Sequence, residues 1–267
     1  MKDIHNHILF GVDDGSKNLE ESIKLIEKAV ENGYTDLILT PHYRMFQDFV
    51  CDNREKYKIF TYLQQEVMDR NIPIRLFLGN EITLDDDFFY YLETRQILSL
   101  NNSRYLLLEL PFFSKYEKLD EVLSKLEELN YIPIISHPER YHYYKIEDFH
   151  EMILKGVLFQ GNIGSLYGKY GIKSKELLEE MLKRHMIHFI GSDIHHEEQT
   201  SYSRIQDVIN RLEILTGSKK MAIDLVDGNI EKVIKNDEFL SYSTRKRKRR
   251  LKLFRKTKNI ERKSVGE

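Results

Sequence analysis

Short apolar runs alternate with amphipathic stretches along most of the chain. Seven runs read as strands: residues 3–7, 36–40, 74–78, 104–110, 132–136, 157–160 and 187–190. Several of them, such as Leu37-Ile38-Leu39, Leu106-Leu107-Leu108 and Ile132-Pro133-Ile134-Ile135, lack polar/apolar alternation, as expected of strands covered on both faces. Between the runs lie helical patterns. Leu19, Ile23, Ile26 and Val30 share one face, Asn18 and Glu21 stand at capping spacing, and Gly33 falls where that helix would end. Leu119, Val122, Leu123, Leu126 and Leu129 repeat the pattern, as do Leu177, Leu178, Met181 and Leu182. A β-α alternation sustained over about seven units predicts an α/β fold with a parallel sheet, and that many units suggests a barrel.

The 267 residues are enough for one large domain with a substantial core. No apolar run approaches the ~20 residues that span a bilayer. A strand-like motif begins at Asp3 and leaves no room for a signal peptide, and the single cysteine, Cys51, excludes an intramolecular disulfide and fits a reducing cytosol. The net charge of −2 conceals an asymmetry: 12 Lys/Arg between Arg245 and Lys263 face two acids beyond Thr244, so the tail carries +10 and the rest −12. The composition breaks near Ser241, which predicts a folded body over residues 1–240 and a mobile basic tail over residues 241–267. Such a tail suits an anionic membrane surface at the inner face of the membrane; it carries no motif for reading bases, so no sequence-specific nucleic acid is expected.

Ligand-type side chains fall at strand ends. His5 and His7 close the first strand and are followed by Asp13-Asp14-Gly15; His42 follows the second and Glu81 the third. Glu109 closes the fourth, His137 and Arg140 follow the fifth, and Asp193 and His195 follow the last. In a parallel barrel the C-terminal strand ends meet on one face, so these groups converge in space. Carboxylates and imidazoles crowded together need cations to compensate them. Mixed His and Asp/Glu ligation suits Mn²⁺, Fe²⁺ or Zn²⁺, and the lack of further thiols excludes a cysteine-rich structural zinc site.

The set Asp3-Ile4-His5-Asn6-His7 with Val12-Asp13-Asp14-Gly15, Thr40-Pro41-His42, Gly79-Asn80-Glu81-Ile82, Ser103-Arg104-Tyr105 with Glu109, His137-Pro138-Glu139-Arg140-Tyr141 and Ser192-Asp193-Ile194-His195 resembles the PHP (polymerase and histidinol phosphatase) superfamily. Within it, the chain is similar to the manganese-dependent tyrosine-protein phosphatases of Gram-positive capsule and exopolysaccharide loci, from residue 2 to about residue 235. The resemblance implies a distorted, TIM-like (β/α)7 barrel with three divalent ions, manganese first and iron, cobalt or zinc as alternatives. It implies His5, His7, Glu81 and Asp193 on one ion, Glu81, Glu109 and His137 on the second, and Asp14, His42 and His195 on the third. Arg140 matches an arginine that steadies the phosphate. A second functional arginine in the family lies shortly after the last ligand histidine; here the nearest, Arg204, comes late.

The implied substrate is a tyrosine-phosphorylated protein such as the tail of an autophosphorylating bacterial tyrosine kinase. A small-molecule phosphatase of the histidinol phosphate type and a non-catalytic phosphotyrosine-binding regulator are the alternatives. Cysteine-based phosphatase chemistry is excluded, because Tyr57 stands six positions after Cys51 where an arginine is needed, and Asp85-Asp86-Asp87-Phe88-Phe89 fails the Asp-x-Asp-x-Thr/Val pattern. Tyr43, Phe46, Tyr141, Tyr143 and Tyr144 follow the ligand motifs and are candidates for an aromatic rim or for loop packing. Gln160 and Asn162 are candidates for pocket-lining amides or for satisfying loop backbone.

Overall fold

The computed structural model describes residues 1–43, 52–196 and 203–239. Cys51, Phe46 and the basic tail lie outside the described residues.

Among the described residues, nine short strands form a ring. β1 (Lys2–Asp3), β2 (Asp36–Leu39) and β4 (Arg75–Leu78) pair in parallel, and β3 (His42–Tyr43), β5 (Glu81–Thr83), β6 (Tyr105–Glu109), β7 (Ile132–Ser136), β8 (Leu158–Asn162) and β9 (Phe189–Gly191) continue the parallel order. β3 prolongs β2 beyond Thr40-Pro41, and β5 prolongs β4 beyond Gly79-Asn80, so nine segments make seven staves. A parallel bridge between Asn6 and Ile194, with the His7 N–H donating to the Ile194 carbonyl at 2.8 Å, joins the last stave to the first. The result is the expected distorted (β/α)7 barrel. Its two breaks lie where Pro41 lacks an amide hydrogen and where Asn80 bonds the Pro41 carbonyl (3.0 Å) and the Leu98 N–H (3.0 Å) instead of a ladder partner.

Alternate residues of the apolar runs face opposite ways, which explains the missing alternation. Ile38, Leu107, Ile134, Leu158 and Phe189 fill the barrel interior, together with Ile230 and Val233 of the late helix α10 (Asn229–Ile234). Leu37 and Leu39 pack outward with Ile23 and Ile26 of α1 (Leu19–Glu31), and Leu106, Leu108 and Ile135 do so with α4 (Leu119–Glu128) and α7 (Ile172–Lys183). Asn18 caps α1 by accepting from the Glu21 N–H at 3.1 Å, whereas the Glu21 carboxylate reaches the Lys17 N–H. The remaining longer helices are α2 (Asn53–Asp69), α5 (Ile146–Leu154) and α8 (Ile205–Thr216), with short turns at α3 (Phe88–Glu93), α6 (Ile163–Leu166) and α9 (Lys219–Ile223). Among the described residues no helix is long and apolar enough to cross a membrane.

Candidate metal centre

All nine side chains expected at strand ends come together at the C-terminal mouth of the barrel. His5 and His7 leave β1 and point inward, fully buried. The loop after them folds back so tightly that a Cβ on Gly15 would stand 1.9 Å from the His7 carbonyl oxygen, and this fold places Asp13 and Asp14 beside His7. Only glycine leaves room for that crossing. His42 and Glu81 open β3 and β5, and Glu109 closes β6. His137 and Asp193 follow β7 and β9 with φ of 32° and 52°. Non-glycine residues pay for left-handed backbone, and such strain gathers at functional sites.

Glu81 is the hub. Its Oε2 faces His42 Nδ1 at 3.1 Å, His5 Nε2 at 3.2 Å and His7 Nε2 at 3.4 Å. Its Oε1 lies 3.0 Å from His137 Nε2 and accepts from the Ser136 hydroxyl at 2.7 Å. Asp193 Oδ1 stands 3.5 Å from both His5 Nε2 and His7 Nε2. Glu109 Oε1 is 3.7 Å from His137 Nε2, and its Oε2 accepts from Thr83. Asp14 Oδ1 is 3.6 Å from both His42 Nε2 and His195 Nε2, at the solvent edge of the cluster. The atoms able to ligate an ion fall into three compact groups: His5-His7-Glu81, His42-Glu81-Glu109 and His7-Asp14-His42-His195. His7, His42 and Glu81 each belong to two of them, and His7 stacks on His195 with centroids 3.8 Å apart.

A cation fits this arrangement better than protons do. Ions bound at ~2.1 Å hold adjacent ligand atoms ~3.0–3.4 Å apart, near the separations around Glu81 and Asp193. The outer ring nitrogens fix the inner ones. His5 Nδ1 lies 2.6 Å from Gln160 Oε1, an orientation set because the Gln160 amide NH₂ donates to the Gly161 carbonyl (2.7 Å) and to Asn162 Oδ1 (2.9 Å). His7 Nδ1 lies 2.7 Å from Asp13 Oδ2. Both rings therefore carry hydrogen on Nδ1 and turn Nε2 inward, and those two nitrogens sit 3.2 Å apart. Two lone pairs so close repel unless a positive charge lies between them. Without a cation, protons do that work. Burial pulls His5 down, yet Glu81 and Asp193 outweigh it and lift the ring to about 9. Burial would raise Glu81 and Asp193, and the surrounding imidazoles hold both well below the usual carboxylate range. His195 is pushed down to about 4 by burial and by His7.

Arg140 Nη1 stands 3.5 Å from Asp193 Oδ2, and its guanidinium carbon lies 4.5 Å from the Phe112 ring centroid and 4.6 Å from that of Tyr170. Arg204 is placed elsewhere. It precedes Ile205, whose N–H donates to the Asn32 carbonyl and whose side chain packs at Gly33, at the end of α1 next to the start of β2. The 13 residues of α1, rising ~1.5 Å each, separate that point from the ligand loops. Of the two readings of the tyrosines, loop packing is the one observed: Tyr43, Tyr141 and Tyr144 are buried, the Tyr141 hydroxyl accepts from the Leu110 N–H, and Tyr143 donates to the Pro111 carbonyl. These rings pack loops. Phe112 and Tyr170 are the aromatic neighbours of Arg140 that the sequence reading missed.

The family description "Capsular polysaccharide synthesis, CpsB/CapC" matches residues 1–235. The chain belongs to the CpsB/CapC family. The tyrosine-protein phosphatase YwqE of Bacillus subtilis is 30% identical over 258 residues, covering 95% of this chain and 99% of that protein. The tyrosine-protein phosphatase CpsB of Streptococcus pneumoniae is 30% identical over 244 residues, covering 88% and 98%. A solved structure from work on YwqE and CpsB, described as unique metal-dependent tyrosine phosphatases, superposes with a TM-score of 0.83 at 29% identity over 91% of this chain and 98% of the other. A histidinol phosphate phosphatase from Lactococcus lactis, at 17% identity and a TM-score of 0.51 over 82% and 93%, shares the fold.

Proposed function

We propose that this chain is a metal-dependent phosphatase that hydrolyses phosphotyrosine on proteins. The observation that carries the reading is the convergence of nine imidazole and carboxylate side chains, with the His5 and His7 nitrogens locked inward, in a chain similar along most of its length to YwqE and CpsB. In this reading His5, His7, Glu81 and Asp193 hold one divalent ion, Glu81, Glu109 and His137 a second, and Asp14, His42 and His195 a third, with Mn²⁺ favoured and Fe²⁺, Co²⁺ or Zn²⁺ as alternatives. Such ions supply Lewis acidity and neutralise charge on a transferring phosphoryl group.

The chain's own residues do the rest. Gln160 and Asp13 keep hydrogen on the outer nitrogens of His5 and His7, and Asn162 donates to Asp193 Oδ2 at 2.7 Å, fixing that carboxylate. Arg140, held between two rings, presents its donors to the equatorial phosphoryl oxygens. A tyrosine phenolate, with a parent pKa of ~10, leaves without a strong acid beside it. Gln160→Leu removes the acceptor that orients His5 and is expected to weaken Mn²⁺ affinity about 10- to 100-fold. Calorimetric titration of the stripped protein measures it, and an unchanged affinity would argue against His5 as a ligand.

The substrate class is tested by comparing turnover of a phosphotyrosyl peptide with that of histidinol phosphate. We expect the peptide to win by kcat/KM; preference for histidinol phosphate would make this a small-molecule enzyme. Peptide binding without phosphate release would leave only a regulator. The physiological partner in this reading is the autophosphorylated tail of a bacterial tyrosine kinase in the cytoplasm. The 12 basic residues between Arg245 and Lys263 would hold the enzyme against anionic lipid, each contributing ~1 kcal/mol. Co-sedimentation with phosphatidylserine vesicles should be lost at high salt and on truncation at Tyr242; equal pelleting of the truncated chain would remove the membrane role.

A further inference from the structure

Arg140 stands beside a site read as taking a phosphate dianion, and the ammonium of Lys169 lies against the same tyrosine ring as its guanidinium. The loop after β8 and α6 carries Lys169 and Tyr170. The Tyr170 hydroxyl donates to Asp193 Oδ2 at 3.3 Å, so the ring reaches from the loop to the ligand cluster. Arg140 lies 4.6 Å from the centroid of that ring and the Lys169 ammonium 5.1 Å from it. The loop is pressed onto the barrel mouth. A Cβ on Gly164 would stand 3.1 Å from Lys169 Cδ and 3.1 Å from the Tyr170 ring, so the absence of a side chain there lets both residues pack. The chain closes this turn with the Lys169 N–H donating to the Gly164 carbonyl at 3.0 Å.

We propose that Lys169 is the second phosphate-binding cation of the site, acting with Arg140 across the shared ring of Tyr170. This assignment rests on the phosphatase reading above. Two positive groups that share one ring repel each other, and a bound dianion relieves that repulsion. Partial burial lowers the Lys169 ammonium's pKa; Asp193 raises it and Arg140 lowers it again, so the lysine feels both neighbours. Once Asp193 is committed to an ion, its charge is no longer available to the two cations. Arg140 supplies a flat fork of donors held in place by Phe112 and Tyr170. Lys169, on a flexible stem and exposed to solvent, supplies a point charge that follows the phosphoryl group.

The test is calorimetric binding of inorganic phosphate to the metal-loaded full chain. Lys169→Met is expected to weaken the affinity about tenfold, the loss of one charge-assisted hydrogen bond. Lys169→Arg is expected to restore it to within about threefold. Lys220→Met, the same charge change at an exposed site paired with Asp224, controls for long-range charge and should leave the affinity unaltered. Phosphate affinity of Lys169→Met within twofold of wild type overturns the proposal. A loss that Lys169→Arg does not rescue, or that Lys220→Met reproduces, also overturns it, since the side chain would then act by packing or by net charge. Because the readout is phosphate binding, it stands apart from peptide turnover: an enzyme that binds phosphate through Lys169 yet ignores phosphotyrosine sinks the substrate reading and not this one.

Discussion

Glu81→Gln is expected to lower turnover of a phosphotyrosyl peptide by at least about 10³-fold while leaving the barrel folded. The reason lies in how many partners share one carboxylate. Three imidazole nitrogens within 3.4 Å face Oε2, and a fourth faces Oε1 at 3.0 Å. In the proposed assignment this carboxylate bridges two ions. Glutamine preserves the volume and one acceptor but removes the charge and turns an NH₂ towards one of these sets of nitrogens. Packing is barely disturbed, because Glu81 sits on a strand whose apolar neighbours, Ile82 and Leu84, stay in the outer core. Far-UV circular dichroism should therefore match wild type. A variant retaining more than a tenth of wild-type turnover would remove Glu81 from the centre of the account. His137→Ala, which deletes one nitrogen rather than the hub, is expected to act in the same direction.

Much of this was written in the order of residues. The uninterrupted apolar runs at residues 36–40, 104–110 and 132–136 implied strands buried on both faces, and in the barrel Ile38, Leu107 and Ile134 point in while their neighbours point out. The position of a histidine or carboxylate at the end of six of the seven runs was enough to expect convergence, since parallel strands end on one face. Less visible were the groups that hold the ligands still. Asp13 beside Asp14 looked like part of a motif, yet it is the partner of His7 Nδ1 and of the His42 N–H (2.9 Å). Gln160 and Asn162 read equally well as loop-satisfying amides, because an amide on a strand has the same appearance whether it serves backbone or ligand.

Side-chain direction is what the order of residues conveys least. Tyr43, Tyr141 and Tyr144 follow ligand residues in sequence but turn into the core, whereas Phe112 and Tyr170, drawn from loops after different strands, meet at Arg140. The place of Arg204 was hidden for a related reason. Sequence distance from His195 gives no path, and the segment 197–202 lies outside the described residues; the residue reappears beside the start of β2. The filling of the barrel interior by Ile230 and Val233 of α10 had no forewarning either.

Removal of the ions is expected to have the largest effect of all. With the cations gone, Glu81 and Asp193 are balanced by protons on His5 and its neighbours, which occupy the inward nitrogens and leave only Arg140 and Lys169 to stabilise charge on a phosphoryl group. The decisive measurement is phosphotyrosyl-peptide hydrolysis by protein stripped with a chelator and verified free of metal, before and after Mn²⁺ is returned. The account requires turnover to fall to background and to recover as about three equivalents of Mn²⁺ per chain are taken up. Full activity in the stripped protein, or recovery that the Glu81→Gln chain shares, would contradict it.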